Sequence, residues 1–362
     1  MYLFERITII GLGLIGSSLA RAIRQQEMCA TLVGCDEDES TLLYARAQQL
    51  VDMALADPAV AVSQSDLVIL AVPPGAMGEV AKRMRPGMRK NAIVMDTASV
   101  KQPVIEAISR YLPANVDFIP AHPIAGSEQG GIAAGRADLF SGRRVVLTPA
   151  EPLQGRMLEL MTRFWQQLGA RVEGVPPQLH DVIYAHVSHL PQLLAFAARG
   201  IISAAPEREA LVRFARLQSS PPELWTEIFL LSREPLLAAL DRFMDALSHI
   251  QRELIDALET EASKDDAAHA RDILLPRIIA SCLVTTVMET EKKLGFALAR
   301  FAGQGFKDFT APASDLPEED IERISHHYAV ILPSLADYLS RLSTLRSLLA
   351  QEDRASLLTA LK

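Results

Sequence analysis

The glycine-rich segment near the N-terminus constrains the fold more than any other part of the chain. The sequence ITIIGLGLIGSSLARAI places Gly11, Gly13 and Gly16 in the spacing G-x-G-x-x-G, directly after an apolar run and at the start of a helical pattern. In that context the first glycine permits a tight turn, the second lets the backbone approach a pyrophosphate, and the third lets the helix pack close to the strand. The segment therefore predicts a Rossmann-like dinucleotide-binding domain with an anion at the helix N-terminus.

The first half of the chain continues in the same pattern, because short apolar runs alternate with amphipathic stretches up to about residue 176. The runs are almost continuously hydrophobic, as a parallel sheet buried on both faces requires. We predict an α/β fold with a doubly wound parallel sheet. Its strands are expected over residues 6–10, 31–35, 66–72, 92–96, 117–120 and 144–148.

The second half of the chain is predicted to be all-helical and to contain a weak internal repeat. The stretch SHLPQLLAF, residues 188–196, is echoed by DILLPRIIA, residues 272–280. Chance similarity between two helical sequences is the alternative explanation. We predict three parts: a nucleotide-binding domain over 1–176, a helical substrate and dimerisation-type domain over 177–262, and a second helical unit over 263–362 that is a possible degenerate repeat of the first.

Composition narrows the classes of protein to consider. The balance of 36 Lys and Arg against 44 Asp and Glu gives a net charge of -8, and the basic residues are scattered, which argues against a nucleic-acid partner. The three cysteines show neither a CxxC pair nor metal-ligand spacing, so we expect no metal and a reducing compartment. No apolar run approaches a membrane span and the start is unlike a signal peptide, so we predict a cytoplasmic protein without a membrane partner.

The second predicted strand ends in an acidic residue that favours NAD as the cofactor. Asp36 lies 20 residues after Gly16, where a carboxylate can accept both ribose hydroxyls and repels a 2′-phosphate. AVPPG, residues 71–75, would lie at the same sheet edge, although it is equally explained as a strand-ending turn. A glycine turn that binds another ligand is the alternative for the whole site. The predicted cofactor-binding residues are Gly11, Leu12, Gly13, Leu14, Ile15, Gly16, Asp36, Val72, Pro73, Thr97 and Ser99.

Two further polar segments are expected at the edge of the sheet where the cofactor loop lies. DTASVK, residues 96–101, and AHPIAGSEQGG, residues 121–131, each follow a predicted strand. A histidine there suits proton transfer at neutral pH, since its ordinary pKa is about 6.5. His122 is therefore the candidate general base. Ser99 is a candidate hydrogen-bond donor to the substrate hydroxyl or to the histidine, with a helix cap as its alternative role.

From residue 5 to about 260 the chain resembles the prephenate/arogenate dehydrogenase family. GLGLIGSSLA, DTASVK, HPIAGSEQGG, ADLF, LTP, HDVIYAHVSHLP and FARLQSSPPELWTEIF occur in family order. The resemblance implies NAD-dependent oxidation and decarboxylation of prephenate in tyrosine biosynthesis, with His122 at the ring hydroxyl and Ser99 beside it. It also implies that Arg216, nine residues before Trp225, binds a substrate carboxylate, for which a guanidinium fork is suited.

The resemblance also assigns secondary roles. Ser127, Glu128, Gln192 and Trp225 correspond to substrate-binding positions, and Glu128 to one that helps gate the site. His189 and His180 are expected to be structural, His180 as a contact at a helix start.

The chain departs from the family pattern in three respects. Gln192 stands where many prephenate-using members have histidine, so arogenate remains open as the substrate. The loop GFKDFT is missing before Arg216 and occurs later, at residues 305–310, with Ala311 in place of an arginine. The second helical unit also makes the chain longer than a minimal member. We hypothesise that this unit packs on the first as an internal stand-in for a partner subunit and brings Asp308 to Arg216; a homodimer is the alternative.

Two other functions are alternatives to this one. A β-hydroxyacid dehydrogenase shares the plan but uses a catalytic lysine, where this chain offers His180, His186 and His189. A non-catalytic NAD sensor would also keep the cofactor motif, but the joint presence of His122, Ser99, Arg216 and Trp225 favours an enzyme.

Overall fold

A parallel sheet of six strands forms the centre of the N-terminal half. The computed structural model describes residues 2–126, 129–149, 155–202, 209–257, 274–315 and 328–362. The strand order β3-β2-β1-β4-β5-β6 reverses direction between β1 and β4, and such a switch point opens a ligand crevice at the carboxyl ends of the strands. The strands are β1 (Phe4–Ile10), β2 (Cys29–Cys35), β3 (Met53–Leu55), β4 (Leu67–Leu70), β5 (Ile93–Asp96) and β6 (Asp117–Phe118).

A second, three-stranded sheet corrects part of the sequence prediction. It consists of β7 (Ala121–Pro123), β8 (Arg144–Leu147) and β9 (Arg171–Gly174), with β7 antiparallel and β9 parallel to the central β8. The strand predicted over 144–148 therefore belongs to this sheet and not to the doubly wound one. His122 lies inside β7, whereas the sequence placed it in a loop after a strand.

Helices cover the sheets of this half, which forms one compact unit over Met1–Asp181. Leu19 and Ile23 of the first helix are fully buried, in a core that also contains Ile7, Ile9 and Leu67 of the sheet. The α-helices are α1 (Leu14–Gln25), α2 (Glu39–Ala47), α3 (Pro58–Ala61), α4 (Met77–Met84), α5 (Gln102–Ser109), α6 (Gly155–Gln167) and α7 (Pro177–Tyr184), and 3₁₀ turns occur at Pro74–Ala76, Arg85–Gly87 and Ile132–Ala134.

The second compact unit, Val182–Lys362, is helical throughout its described part. A π-helical turn, Ala185–His189, leads into its first α-helix. Its helices are α8 (Leu190–Ala197), α9 (Glu209–Gln218), α10 (Pro222–Leu231), α11 (Arg233–Ala257), α12 (Leu275–Leu294), α13 (Gln304–Asp315), α14 (Tyr328–Ala350) and α15 (Arg354–Leu361), with a 3₁₀ turn at Ala299–Phe301. Among the described residues, every helix is too short or too polar to span a membrane.

Candidate active site

The glycine loop has the backbone geometry that its spacing predicts. Gly11 has φ +91°, and a Cβ atom there would lie 2.6 Å from the carbonyl oxygen of Ala71 at the end of β4. A Cβ on Gly16 would lie 1.8 Å from the carbonyl oxygen of Gly11, so only glycine permits this approach of helix to strand. A Cβ on Gly13 would meet no atom of the described residues within 4 Å. The loop is closed on the protein side and open where a pyrophosphate is expected.

The start of α1 is suited to an anion. Gly13 provides no side-chain cap, and the first turn of α1 contains no acidic residue. Its first backbone N–H groups, with the positive end of the helix dipole, therefore favour a phosphate. These features fit the pyrophosphate of a dinucleotide.

Asp36 is held at the carboxyl end of β2. Its Oδ2 accepts a hydrogen bond from the Leu12 backbone N–H at 2.7 Å, and its Oδ1 accepts one from the Asp38 N–H at 3.0 Å. The carboxylate is thus fixed next to the glycine loop, and its remaining lone pairs suit ribose hydroxyls. Val72 and Thr97 follow β4 and β5 at the same edge, as predicted, and Thr97 donates to the Leu70 carbonyl at 3.3 Å.

A chain of three side chains ends on His122. The Nδ1 atom of His122 lies 2.9 Å from Nε2 of His180, and Nδ1 of His180 lies 2.8 Å from Oδ1 of Asp181. Asp181 also accepts the backbone N–H groups of Lys101 at 2.8 Å and of Gln102 at 2.9 Å, at the start of α5. His180 is fully buried, and His122 is 9% exposed.

The chain determines which nitrogen of His122 is basic. A carboxylate only accepts hydrogen bonds, so the proton between Asp181 and His180 belongs to Nδ1 of His180. When His180 is neutral, its Nε2 is an acceptor, and Nδ1 of His122 then donates to it. This tautomer leaves the lone pair of His122 on Nε2, the form that a general base requires.

A buried ion pair fixes the segment that carries Ser99 to the strand that carries His122. Nζ of Lys101 lies 2.5 Å from Oδ2 of Asp96 and 2.6 Å from the carbonyl oxygen of Ala121, and both charged side chains are fully buried. Burial lowers the pKa of Lys101, which the charge of Asp96 opposes. Asp96 Oδ1 also accepts the Ala121 backbone N–H at 3.1 Å. Ser99 lies between these anchors in a half-buried bend.

The structure corrects the role expected for His180. The helix-start contact is made by its neighbour Asp181, whereas His180 contacts the candidate base. His180, Asp181 and Lys101 were not predicted from the sequence as parts of the site. The adjacent pair HD at 180–181 and the lysine of DTASVK were visible signals, but no local pattern pairs them with His122.

In the second unit, the structure brings Asp308 to Arg216. The guanidinium of Arg216 forms an ion pair with Oδ2 of Asp308, whose side chain is fully buried. Nε2 of Gln304 donates a hydrogen bond to Oδ1 of the same carboxylate at 2.8 Å. The side chain of Arg216 is 45% exposed. The hypothesis that Asp308 approaches Arg216 within one chain is confirmed.

The other substrate-binding residues predicted in this unit, Gln192 and Trp225, make contacts with neighbouring residues of the same unit. The buried Gln192 donates from Nε2 to the Leu217 carbonyl at 2.7 Å, next to Arg216 in α9. Trp225 packs against His189, with 6.3 Å between the ring centroids. Nδ1 of His189 is hydrogen-bonded to Oγ of Ser232 at 2.8 Å. Their contacts with substrate stay predictions. Ser127 and Glu128 lie outside the described residues.

Comparison with known proteins decides the family. The model of the prephenate dehydrogenase nucleotide-binding domain matches residues 19–174, and the model of the prephenate dehydrogenase dimerization domain matches twice, at 176–265 and 261–362. The chain belongs to the prephenate dehydrogenase family. It is accordingly an NAD-dependent dehydrogenase, and the resemblance inferred from the sequence is confirmed.

Individual members of the family agree with this assignment. A cyclohexadienyl dehydrogenase of Zymomonas mobilis is 36% identical over 261 residues, covering 69% of this chain and 89% of the relative. A prephenate dehydrogenase of Bacillus subtilis is 26% identical, covering 73% of this chain and 71% of that protein. The crystal structure of Aquifex aeolicus prephenate dehydrogenase with hydroxyphenyl propionate and NAD⁺ is similar at a TM-score of 0.64 and 26% identity, covering 80% of this chain and 97% of that one.

Proposed function

We propose that the protein is a prephenate dehydrogenase, which converts prephenate to 4-hydroxyphenylpyruvate and carbon dioxide with NAD as the hydride acceptor. The observation that carries this proposal is the chain Asp181–His180–His122, which presents a basic nitrogen in a dehydrogenase of this family. His122 follows Ala121, which Asp96 binds at the carboxyl end of β5. That is the sheet edge at which dinucleotides bind in such folds.

In the proposed mechanism, Nε2 of His122 accepts the proton of the ring hydroxyl as the C–O bond gains double-bond character. NAD, held by the glycine loop and Asp36, would supply the acceptor for the hydride that leaves the ring carbinol carbon. The bond from the ring to its carboxylate then breaks, carbon dioxide leaves, and the electron pair restores the aromatic ring as a phenolate. The phenolate takes the proton back from His122, which gives 4-hydroxyphenylpyruvate and regenerates the base. His180 and Asp181 stabilise the positive charge that His122 gains, because the buried carboxylate lies at the end of the hydrogen-bonded chain.

Arg216 is proposed to hold a substrate carboxylate and to take no part in proton transfer. The described contacts support this role, because Asp308 fixes one edge of the guanidinium while the side chain remains partly exposed. A fixed, planar donor set orients an anion with a small loss of side-chain entropy on binding.

Arogenate is the second candidate substrate. It differs from prephenate in carrying an amino group where prephenate has a keto group. The observation that keeps it open is Gln192, which stands where many prephenate-using members have histidine. A neutral amide does not discriminate between the two side chains by charge.

The test is NADH formation by the purified protein with prephenate and with arogenate, measured side by side. We expect turnover with prephenate and its loss in His122→Asn, which keeps a polar side chain but removes the base. Turnover with arogenate alone would transfer the assignment to that substrate. Failure to oxidise either, with NAD binding retained, would contradict the proposal.

We propose that the enzyme works in the cytoplasm as a small-molecule catalyst. Burial raises the pKa of Cys35 and of Cys282 to about 12 and that of Cys29 to about 11. Such thiols are weakly reactive. The three cysteines are free rather than paired in disulfides, as is usual in a reducing compartment.

A further inference from the structure

The helical unit contains two copies of one arrangement. The dimerization-domain model matches it twice in tandem, at residues 176–265 and 261–362. HLPQLLA at 189–195 corresponds to LLPRIIA at 274–280. In each case the segment starts a helix with proline in its first turn, α8 in the first copy and α12 in the second. On this correspondence α9 matches α13, and α11 matches α14.

The packing between the copies is reciprocal. Helix α9 packs on its counterpart α13, and α11 packs on its counterpart α14. In addition α11 packs on α12, and α14 packs on α8, which is the same contact with the copies exchanged. Contacts that repeat under exchange of the two partners define an isologous, two-fold interface. The unit therefore has the internal symmetry of a dimer.

One aromatic pair lies where the symmetry axis is expected. Aligning VRFAR at 212–216 with KDFTA at 307–311 makes Phe214 the counterpart of Phe309. These rings contact each other, with centroids 4.8 Å apart, and both are fully buried. A residue that touches its own counterpart lies on or near a two-fold axis.

The charged residues around that pair break the symmetry. In the same alignment Asp308 corresponds to Arg213, and Arg216 corresponds to Ala311. Arg216 is bonded to Asp308 on one side of the axis. On the other side, the buried Ala311 has no charge to offer a carboxylate. The helical unit therefore has an arginine site at Arg216 and none at the symmetry-related position, which is occupied by Ala311.

We propose that the second copy, described over residues 274–315 and 328–362, is a built-in partner subunit: it covers the dimerization face of the first copy and supplies Asp308 to position Arg216, so that each chain works alone with one carboxylate site. The role of Arg216 rests on the proposed function, whereas the built-in partner rests on the symmetry. Tyr338 supports the partner role, since its hydroxyl in α14 donates to the Leu194 carbonyl in α8 at 3.0 Å.

Light scattering during gel filtration tests the built-in partner directly on the unmodified protein. The expected mass is that of one chain, 39.6 kDa, across the micromolar range. A stable two-chain mass would overturn the proposal. This measurement requires no turnover, so it remains decisive even when neither prephenate nor arogenate is oxidised.

The positioning role is tested with Asp308→Asn, which keeps the size of the side chain and removes its charge. The matched control is Asp241→Asn, because Asp241 pairs with Arg346 across the same two copies but away from Arg216. We expect the KM for prephenate to rise about tenfold in Asp308→Asn, with kcat within about twofold, since a long side chain must then be ordered on binding. The control should keep both constants. An unchanged KM, or an equal effect of both variants, would refute the role of Asp308.

Discussion

The hydrogen-bond chain behind His122 makes a quantitative prediction for His180→Phe. Phenylalanine keeps an aromatic ring against His122, whose ring centroid lies 5.1 Å from that of His180, but it offers no acceptor. As His122 becomes positive, the variant lacks one hydrogen bond to a charged group, worth about 1.5–3 kcal/mol. At about 1.4 kcal/mol per factor of ten, kcat should fall about 10- to 150-fold.

The assay is the initial rate of NADH formation at saturating prephenate, with the KM for NAD as an internal check. A matched control is His186→Asn, since His186 is also buried but contacts the carbonyl oxygen of Val182 at 2.8 Å. We expect the control to keep kcat within about threefold, whereas His180→Phe should lose activity while its melting temperature shows that it is folded. A folded His180→Phe with wild-type kcat would refute the inference that His180 sets the tautomer of His122.

Three further changes probe the rest of the molecule. Asp36→Ser should lower the preference for NAD over NADP about tenfold, because a like charge near the 2′-phosphate is removed; unchanged discrimination in kcat/KM would contradict its role. Lys101→Met should lower the free energy of unfolding by about 3–5 kcal/mol in urea, since Asp96 is left buried without its cation, whereas Lys82→Met at an exposed pair should change it little. Burial lowers the pKa of His186 in the folded protein. At a pH just below 6.5, the ordinary pKa of histidine, the unfolded chain therefore binds more protons at this residue than the folded one. The contribution of His186 to the free energy of unfolding should be full at neutral pH and fall as the pH drops below 6.5. His186→Asn should flatten that decline in urea midpoints between pH 7.5 and pH 5, and an unchanged slope would show that other groups cause it.

The cofactor half of the site was predictable because its signals are local in sequence. Gly11, Gly13 and Gly16 act through backbone geometry within six residues, and Asp36 ends the next strand. The main parallel strands were recognised for a similar reason, since β1, β2, β4 and β5 are buried along most of their length. Strands β3 and β7 have only three residues each, and β9 contains Arg171 and Glu173, so neither length nor hydrophobicity revealed them.

The contacts that organise the candidate catalytic residues were not local. His122 and His180 are 58 residues apart, and Lys101 and Asp181 are 80 residues apart. No periodicity connects such positions, so only the fold brings them together. The approach of Asp308 to Arg216 was predicted because the motif GFKDFT, which the family pattern places just before Arg216, occurs instead at residues 305–310.

The pairing of two helical copies in one polypeptide also affects how the enzyme responds to dilution and to mutation. A noncovalent dimer dissociates as its concentration falls, whereas copies joined in one chain meet at a fixed effective concentration. Specific activity should therefore be independent of enzyme concentration. In a homodimer every substitution appears on both sides of the interface. Here the corresponding positions carry different residues, Arg216 in one copy and Ala311 in the other, so a substitution changes one copy alone.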